Sequence, residues 1–268
     1  MFIIFVKKIT VNMLNDIINI AKEAGGVIRE GFGKKNQIEF KTNETNLVTE
    51  VDKASEKLII DFVARKYPSH GILAEEGGAI KHGSEYLWII DPLDGTTNFA
   101  HGLPVFSVSI GLQKNKETIA GVVYDVMFDV VYSAEKGSGS FANHNKMSVS
   151  TNDIIGRSVL ATGFPYNVFD NPDNLLEKFT AMTRLARGVR RLGSAALDLC
   201  YLAKGVFDGY WEMNLNPWDI CAGILLVEEA GGMVTDFNNQ QIDMYTKKIL
   251  ATNGRIHQQM LDILQKYE

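Results

Sequence analysis

Trp88-Ile-Ile-Asp-Pro-Leu-Asp-Gly-Thr-Thr-Asn-Phe99 is the stretch on which the fold of this 268-residue chain turns. The apolar run Leu87 to Ile90 reads as a buried strand that delivers Asp91 to its C-terminal end. Pro92 fixes its own φ and has no N–H to offer a neighbouring strand. Asp94 and Gly95 continue the turn, and Thr96-Thr97-Asn98 begins a short helix. Asp91 and Asp94 converge on one point across such a turn, Gly95 lets the backbone come close to a ligand, and free N–H groups at a helix start suit a phosphate. Hard carboxylate oxygens beside an anion-binding turn describe a Mg²⁺–phosphate site. Turn chemistry alone also accounts for Asp-Pro and Asp-Gly, so the rest of the chain must decide. A phosphatase with an Asp nucleophile usually presents Asp-x-Asp on one side of an extended strand. The Asp-Pro-Leu-Asp spacing breaks that alternation, and water is the preferred nucleophile.

Outward from this stretch, Gly71 to Ala74 is a second short apolar strand. If it neighbours the strand ending at Ile90, it carries Glu75 to the same sheet edge as Asp91, where ligands of α/β layers commonly sit. The bland reading of Glu75-Glu76 is a solvated loop. Upstream, apolar positions at helical spacing predict helices over Leu14–Phe32 and Thr49–Tyr67, the latter capped by Thr49 and stopped by Pro68. Thr49-Glu-Val-Asp52 is explained as a cap with acidic residues in the first turn. Lys41 lies in a polar loop between these helices, a solvated lysine on its face. Downstream come strands over Val105–Gln113, Thr118–Val126, Val130–Ala134 and Gly139–Val149, with a hairpin connection at Asn115.

After residue 150 strands and helices alternate: strands at Ser158–Thr162, Val206–Met213, Met233–Asp236 and Ile249–Thr252, helices at Pro172–Ala186, Ala195–Ala203, Pro217–Ala230 and Ile256–Tyr267. Pro217 opens its helix after Asn216, and Gly231-Gly232 closes it. Asp219 sits in its first turn, where the helix dipole favours a carboxylate by about 0.3–1 kcal/mol. That does not explain Glu212 at the end of the preceding strand; the two flank one loop and can face a shared cleft. Ser194 before Ala195 is either a plain N-cap or a substrate contact. Helices, a β-rich middle and mixed α/β predict two sheets with helices between and outside them, in two lobes of about 13–150 and 151–268 without a flexible tether. Residues 1–12 read as a peripheral extension, the first helix beginning after Met13.

Composition narrows the classes. Hydrophobic residues make up 46% and charged residues 22%, as in an ordinary globular protein. Lys and Arg total 27 against 32 Asp and Glu, a net charge of −5, which disfavours nucleic acid and anionic membranes as partners. Cys200 and Cys221 form no disulfide framework and the histidines no ligand spacing, which disfavours zinc and thiol chemistry. The run Phe2 to Val6 is too short for a signal-peptide core, so the cytoplasm is the expected location.

Taken together, Glu75-Glu76, the Trp88 to Asn98 string, Trp218-Asp-Ile-Cys-Ala-Gly223 and Glu229-Ala-Gly-Gly232 resemble the inositol monophosphatase family of Mg²⁺-dependent phosphatases. Leu47-Val-Thr-Glu-Val-Asp52 and Arg191-Leu-Gly-Ser-Ala-Ala196 add weaker support. The resemblance implies a layered αβαβα sandwich, mixed α+β and α/β, with the site between two lobes. It implies two or three Mg²⁺: Glu75, Asp91 and the Leu93 carbonyl on one, Asp91, Asp94 and Asp219 on a second, and Glu75 on a water-rich third. Gly95 and Thr96 would cradle the phosphate, and Asp52 and Thr96 would orient the attacking water, with Glu75 in the catalytic group. Gly193, Ser194, Ala195 and Glu212 would meet the alcohol part of a small phosphorylated substrate, with Asp94 and Asp219 also on the substrate side and Lys41 in a loop over the site. Inositol monophosphate is the first substrate expectation. NADP(H) at its 2′-phosphate, fructose 1,6-bisphosphate, a 3′-phosphoadenosine nucleotide and a non-catalytic binding role are the alternatives. Li⁺ sensitivity and a homodimer are further expectations of the resemblance. Ser194 departs from the Thr that many members carry, and residues before Met13 have no counterpart.

Overall fold

Side-chain alternation along the strands shows what covers each of two sheets. The structure, a computed structural model, describes residues 2–34, 38–40, 47–80 and 83–268, the side chains of residues 2–12, 38, 40, 47, 48 and 80 excepted. Helix α1 (Phe2–Gly31) is followed by an antiparallel strand pair, β1 (Ile38–Phe40) and β2 (Leu47–Thr49), and by α2 (Glu50–Lys66). Next come β3 (Gly71–Ala74), β4 (Gly78–Ile80), β5 (Tyr86–Asp94), α3 (Thr96–Ala100), β6 (Ser107–Lys114), β7 (Glu117–Asp125), β8 (Val130–Glu135), β9 (Gly139–Ala142) and β10 (Asn145–Lys146). The remainder is β11 (Val159–Thr162), α4 (Leu175–Leu185), β12 (Gly188–Arg190), α5 (Ala195–Ala203), β13 (Gly209–Met213), α6 (Pro217–Glu229), β14 (Met233–Thr235), β15 (Lys248–Thr252) and α7 (His257–Lys266).

The large sheet runs β10-β9-β8-β7-β6-β5-β3-β4 and the small one β12-β11-β13-β15-β14. In the large sheet Ile90 and Val122 join the apolar cluster that includes Ile17, Ala21 and Ile28 of α1 and Ile59 and Val63 of α2. Their neighbours Ile89 and Val123 point the other way, to Cys221 and to the α5–α6 residues Leu199 and Leu226 respectively. The small sheet does the same. Ala161, Tyr210 and Ala251 face α5 and α6, whereas Leu160, Trp211 and Leu250 face Met182 of α4 and Met260 of α7. A period of two with both faces apolar requires helices on both sides. The order is therefore α1/α2, large sheet, α5/α6, small sheet, α4/α7: a mixed α/β sandwich of five layers. Burying each large apolar side chain contributes roughly 1.5–3 kcal/mol. The α5/α6 layer is apolar nearly all round because it is covered twice.

Four elements outside the site differ from their sequence expectation. Helix α1 begins at Phe2, not after Met13; no Pro or Gly interrupts Phe2–Met13, so nothing stops the helix extending upstream. Gly139–Val149 is no single strand: Asn143 takes a left-handed φ of 52° and turns the chain into the β9–β10 hairpin. In Pro172–Ala186, Asp173 and Asn174 are left-handed, which breaks off a 3₁₀ turn before α4. The Val206–Met213 strand starts only at Gly209.

Candidate active site

The strand that carries Asp91 and Asp94 is bent by one extra residue. Asp91 pairs with Ser109 and Asp94 with Ser107, so three steps on β5 oppose two on β6. In a regular strand, residues three apart point to opposite faces. The bulge cancels that, and both carboxylates face the α5/α6 layer. What reads as a turn in the sequence is thus a bulged strand end. Pro92 suits the bulge because it has no N–H to leave unpaired. Its carbonyl accepts from Ser55 Oγ of α2 at 2.9 Å, and Leu93 N–H donates to Asp91 Oδ1 at 3.0 Å.

β3 lies parallel to β5 with Ala74 opposite Ile90, and the Glu75 N–H donates to the Ile90 carbonyl at 3.2 Å. The expected neighbourhood of Glu75 and Asp91 is therefore present. Asp219 comes from the first turn of α6 and accepts from the Asn216 N–H at 2.6 Å. Asp94 accepts from the Ser194 hydroxyl and from the Ala196 N–H at 3.0 Å, at the start of α5. Ser194 meanwhile caps α5 by accepting from the Leu197 N–H at 3.3 Å. The structure shows the N-cap reading of Ser194, whose hydroxyl proton is committed to Asp94.

Glu75, Asp91, Asp94, Thr96, Glu212 and Asp219 line one cavity of about 410 Å³, together with Leu93, Gly95, Gly193, Ser194 and Ala195. Asp52 stands behind the wall. Its Oδ1 accepts from Thr96 Oγ1 at 2.9 Å, while its Oδ2 accepts from the Thr49 N–H at 2.9 Å and from the Thr49 hydroxyl. The Thr49 cap of α2 therefore also sets the Asp52 carboxylate. Lys41 lies outside the described residues. A larger hollow of about 1070 Å³ beside β4 and the C-terminal end of α6 contains none of these carboxylates.

Gly95 has a φ of 94°, and a Cβ there would stand 2.9 Å from the Val105 carbonyl oxygen. Only glycine brings the start of α3 this close to the cavity. Gly193, at φ 87°, is similarly constrained against Asn98, whose side chain ties the Val105 and Leu192 carbonyls together at 2.7 and 2.8 Å.

Burial dominates the electrostatics. It pushes the Asp91 and Asp219 carboxyls well above the usual range, and Glu75 adds repulsion to each. Asp94 is pushed up to about 6 by burial, held from rising further by its bonds from Ser194 and Ala196. Glu212 rises to about 7 for the same reason, moderated by the Tyr210 hydroxyl and by Arg191. Such a set repels itself until a cation neutralises it. Oxygen donors of this hardness, with a backbone carbonyl beside them, suit Mg²⁺ and not a softer ion. Among the described residues no three acidic, His or Cys side chains are already closed to ligand geometry. The carboxylates gather round the cavity without forming a finished shell.

Three further residues line the cavity, and their sequence context does not mark them as site residues. Gly163 follows β11, and a Cβ there would fall 2.0 Å from Glu212 Oε1. Arg191 lines the cavity and stands beside Glu212 and Asp198 as their positive neighbour. Asp198, in the first turns of α5, is 1% exposed and leaves Oδ1 without a hydrogen bond. An unpaired buried polar group costs about 1–3 kcal/mol, more when charged, which exceeds what a helix dipole returns.

Comparison with known proteins places the chain in a family. The description "Inositol monophosphatase family" matches residues 11–268. An inositol-1-monophosphatase of Synechocystis is 44% identical, the match covering 90% of this chain and 84% of that protein. A fructose-1,6-bisphosphatase/inositol-1-monophosphatase of Aquifex aeolicus is 39% identical over 94% of this chain and 95% of its own. The crystal structure of the extragenic suppressor protein suhB from Bartonella henselae superposes with a TM-score of 0.91 at 37% identity, covering 95% of this chain and 99% of that one. Fold and relatives together define a phosphatase, a hydrolase of phosphorylated substrates. The chain belongs to the inositol monophosphatase family. Among the described residues no helix is long and apolar enough to cross a membrane.

Proposed function

We propose that the chain hydrolyses inositol monophosphate, or a polyol monophosphate of similar size, with Mg²⁺ as cofactor and water as the nucleophile. The observation that carries this reading is the convergence of Glu75, Asp91, Asp94 and Asp219 on one 410 Å³ cavity. Glu75, Asp91 and the Leu93 carbonyl would hold one Mg²⁺, Asp91, Asp94 and Asp219 a second, and Glu75 a third. Bound there, the cation supplies charge neutralisation and Lewis-acid polarisation of a phosphoryl oxygen.

The chain's own groups do the rest. Backbone N–H groups at Gly95 and Thr96 receive phosphate oxygens where the Gly95 turn brings the chain close. The Thr96 hydroxyl, set between Asp52 Oδ1 at 2.9 Å and the Leu93 carbonyl at 3.0 Å, and Asp52 behind it orient a water for in-line attack. The P–O bond to the alcohol breaks as the new P–O bond forms, and the leaving oxygen takes a proton from solvent; no phosphoenzyme forms. Glu212, held by Tyr210, faces the alcohol. Ser194 positions Asp94 through its hydroxyl and contributes to the α5 start on which Ala195 and Gly193 sit.

Phosphate release from a panel of esters, with and without Mg²⁺, tests the reading. Inositol monophosphate is expected to have the highest kcat/KM, and the rate to vanish under chelation. A higher kcat/KM on fructose 1,6-bisphosphate or on a nucleotide would replace the substrate assignment, and metal-independent turnover would overturn the mechanism. The cytoplasmic, homodimeric and Li⁺-sensitive character expected from the sequence belongs to the same proposal.

A further inference from the structure

We propose that Asp198 is a specificity-determining residue of this phosphatase: its unpaired Oδ1 accepts a hydrogen bond from a hydroxyl of the leaving alcohol. This rests on the polyol-phosphate reading above.

The observation is an imbalance of hydrogen bonds. Asp198 lies on α5, its N–H spent on the Ser194 carbonyl at 3.0 Å in the ordinary helical manner. Its side chain is 1% exposed, lines the active-site cavity, and leaves Oδ1 without a donor. The other acidic groups of the cavity that could be compared with it are better supplied: Asp94 receives Ser194 and Ala196, Glu212 receives the Tyr210 hydroxyl, and Asp219 receives the Asn216 N–H. Buried acceptors in folded proteins have partners, from protein, water or ligand. The protein supplies none to Oδ1, so the donor comes from what enters the cavity.

The neighbours indicate what that is. Burial pushes the Asp198 carboxyl well above its usual range, the negative charges of Glu212 and Asp94 add to this, and the positive charge of Arg191 opposes it. Two acidic side chains on one wall give a phosphoryl oxygen acceptors rather than donors, so this wall does not take the phosphoryl group. It suits the opposite end of the substrate, where an uncharged ring with adjacent hydroxyls can donate to Glu212 and Asp198 together. Capping of α5 does not account for the residue, because Ser194 already performs that role and a carboxylate serving the helix dipole gains nothing from burial.

The test compares Asp198→Leu, close in outline but without an acceptor, with Asp198→Asn, which keeps one acceptor oxygen. KM and kcat are measured in excess Mg²⁺ on inositol monophosphate and on phenyl phosphate, whose leaving group carries no further hydroxyl. Asp198→Leu is expected to raise KM for inositol monophosphate by about tenfold, the loss of one buried hydrogen bond. KM for phenyl phosphate stays unchanged, which also shows that the variant is folded, and Asp198→Asn stays within about threefold of the wild type. Equal shifts on both substrates, or no difference between Leu and Asn, overturn the inference while leaving the substrate reading in place. A wild type that cleaves phenyl phosphate but no polyol phosphate overturns that reading, and this inference with it.

Discussion

Adding one methyl group at Gly163 probes the substrate wall without touching any proposed metal ligand. A Cβ at this position would stand 2.0 and 2.1 Å from the two Glu212 carboxylate oxygens and 2.2 Å from its carboxyl carbon. Gly163 is not among the glycines with positive φ, so alanine meets no backbone strain and the whole effect falls on Glu212. Ordinary contact begins at 3.4 Å, so the carboxylate has to retreat by more than an ångström. It then loses its bond from the Tyr210 hydroxyl and any bond to substrate. A hydrogen bond to a charged group contributes about 1.5–3 kcal/mol, which converts to roughly 10- to 150-fold at 1.4 kcal/mol per decade. Gly163→Ala should therefore raise KM for inositol monophosphate by at least about tenfold, with a much smaller change on phenyl phosphate. Steady-state kinetics on both esters, with a melting curve to confirm folding, provides the readout. A folded variant with wild-type KM on the polyol ester would remove Glu212 from substrate recognition.

Other outcomes follow from the same geometry. Asp94→Asn weakens a proposed metal ligand and should cost several kcal/mol of transition-state stabilisation at limiting Mg²⁺; near-normal turnover in a Mg²⁺ titration would contradict its role. Thr96→Ala should lower kcat while leaving KM nearly unchanged, and an unaltered kcat would exclude the hydroxyl from orienting water. In metal-free protein, Asp94 at about 6 and Glu212 at about 7 lie above their ordinary values. The folded state then binds more protons than the unfolded chain, so this stabilisation is full below about pH 4 and is lost as pH rises to 7. Added Mg²⁺ should consequently raise Tm more at pH 7.5 than at pH 5; an equal or larger rise at pH 5 would refute the electrostatic reading.

Much of this arrangement is legible in the sequence. The strand end at Ala74, the cap at Thr49 and the Asn216-Pro217 helix start are local features with strong chemical signatures, and each lies where the pattern places it. The bulge was not legible. Asp-Pro-Leu-Asp reads as a turn, because only pairing with Ser107 and Ser109 of β6 shows that the chain stays in the sheet. Asp173 and Asn174 were hidden for a similar reason: left-handed backbone at Asp or Asn is permitted but not announced by sequence. Gly163 and Asp198 were invisible because their meaning lies in distant partners. A glycine beside Phe164-Pro165 looks like a loop, and an acid near a helix start looks like a dipole partner, until Glu212 and the cavity stand next to them.

Anomalous diffraction from crystals equilibrated with Mn²⁺, a stand-in for Mg²⁺ with its own anomalous signal, tests the central claim most directly. Peaks should appear inside the cavity, about 2.0–2.3 Å from oxygens of Glu75, Asp91, Asp94 and Asp219 and from the Leu93 carbonyl. Peaks only elsewhere on the molecule, with these carboxylates turned away from one another, would contradict it.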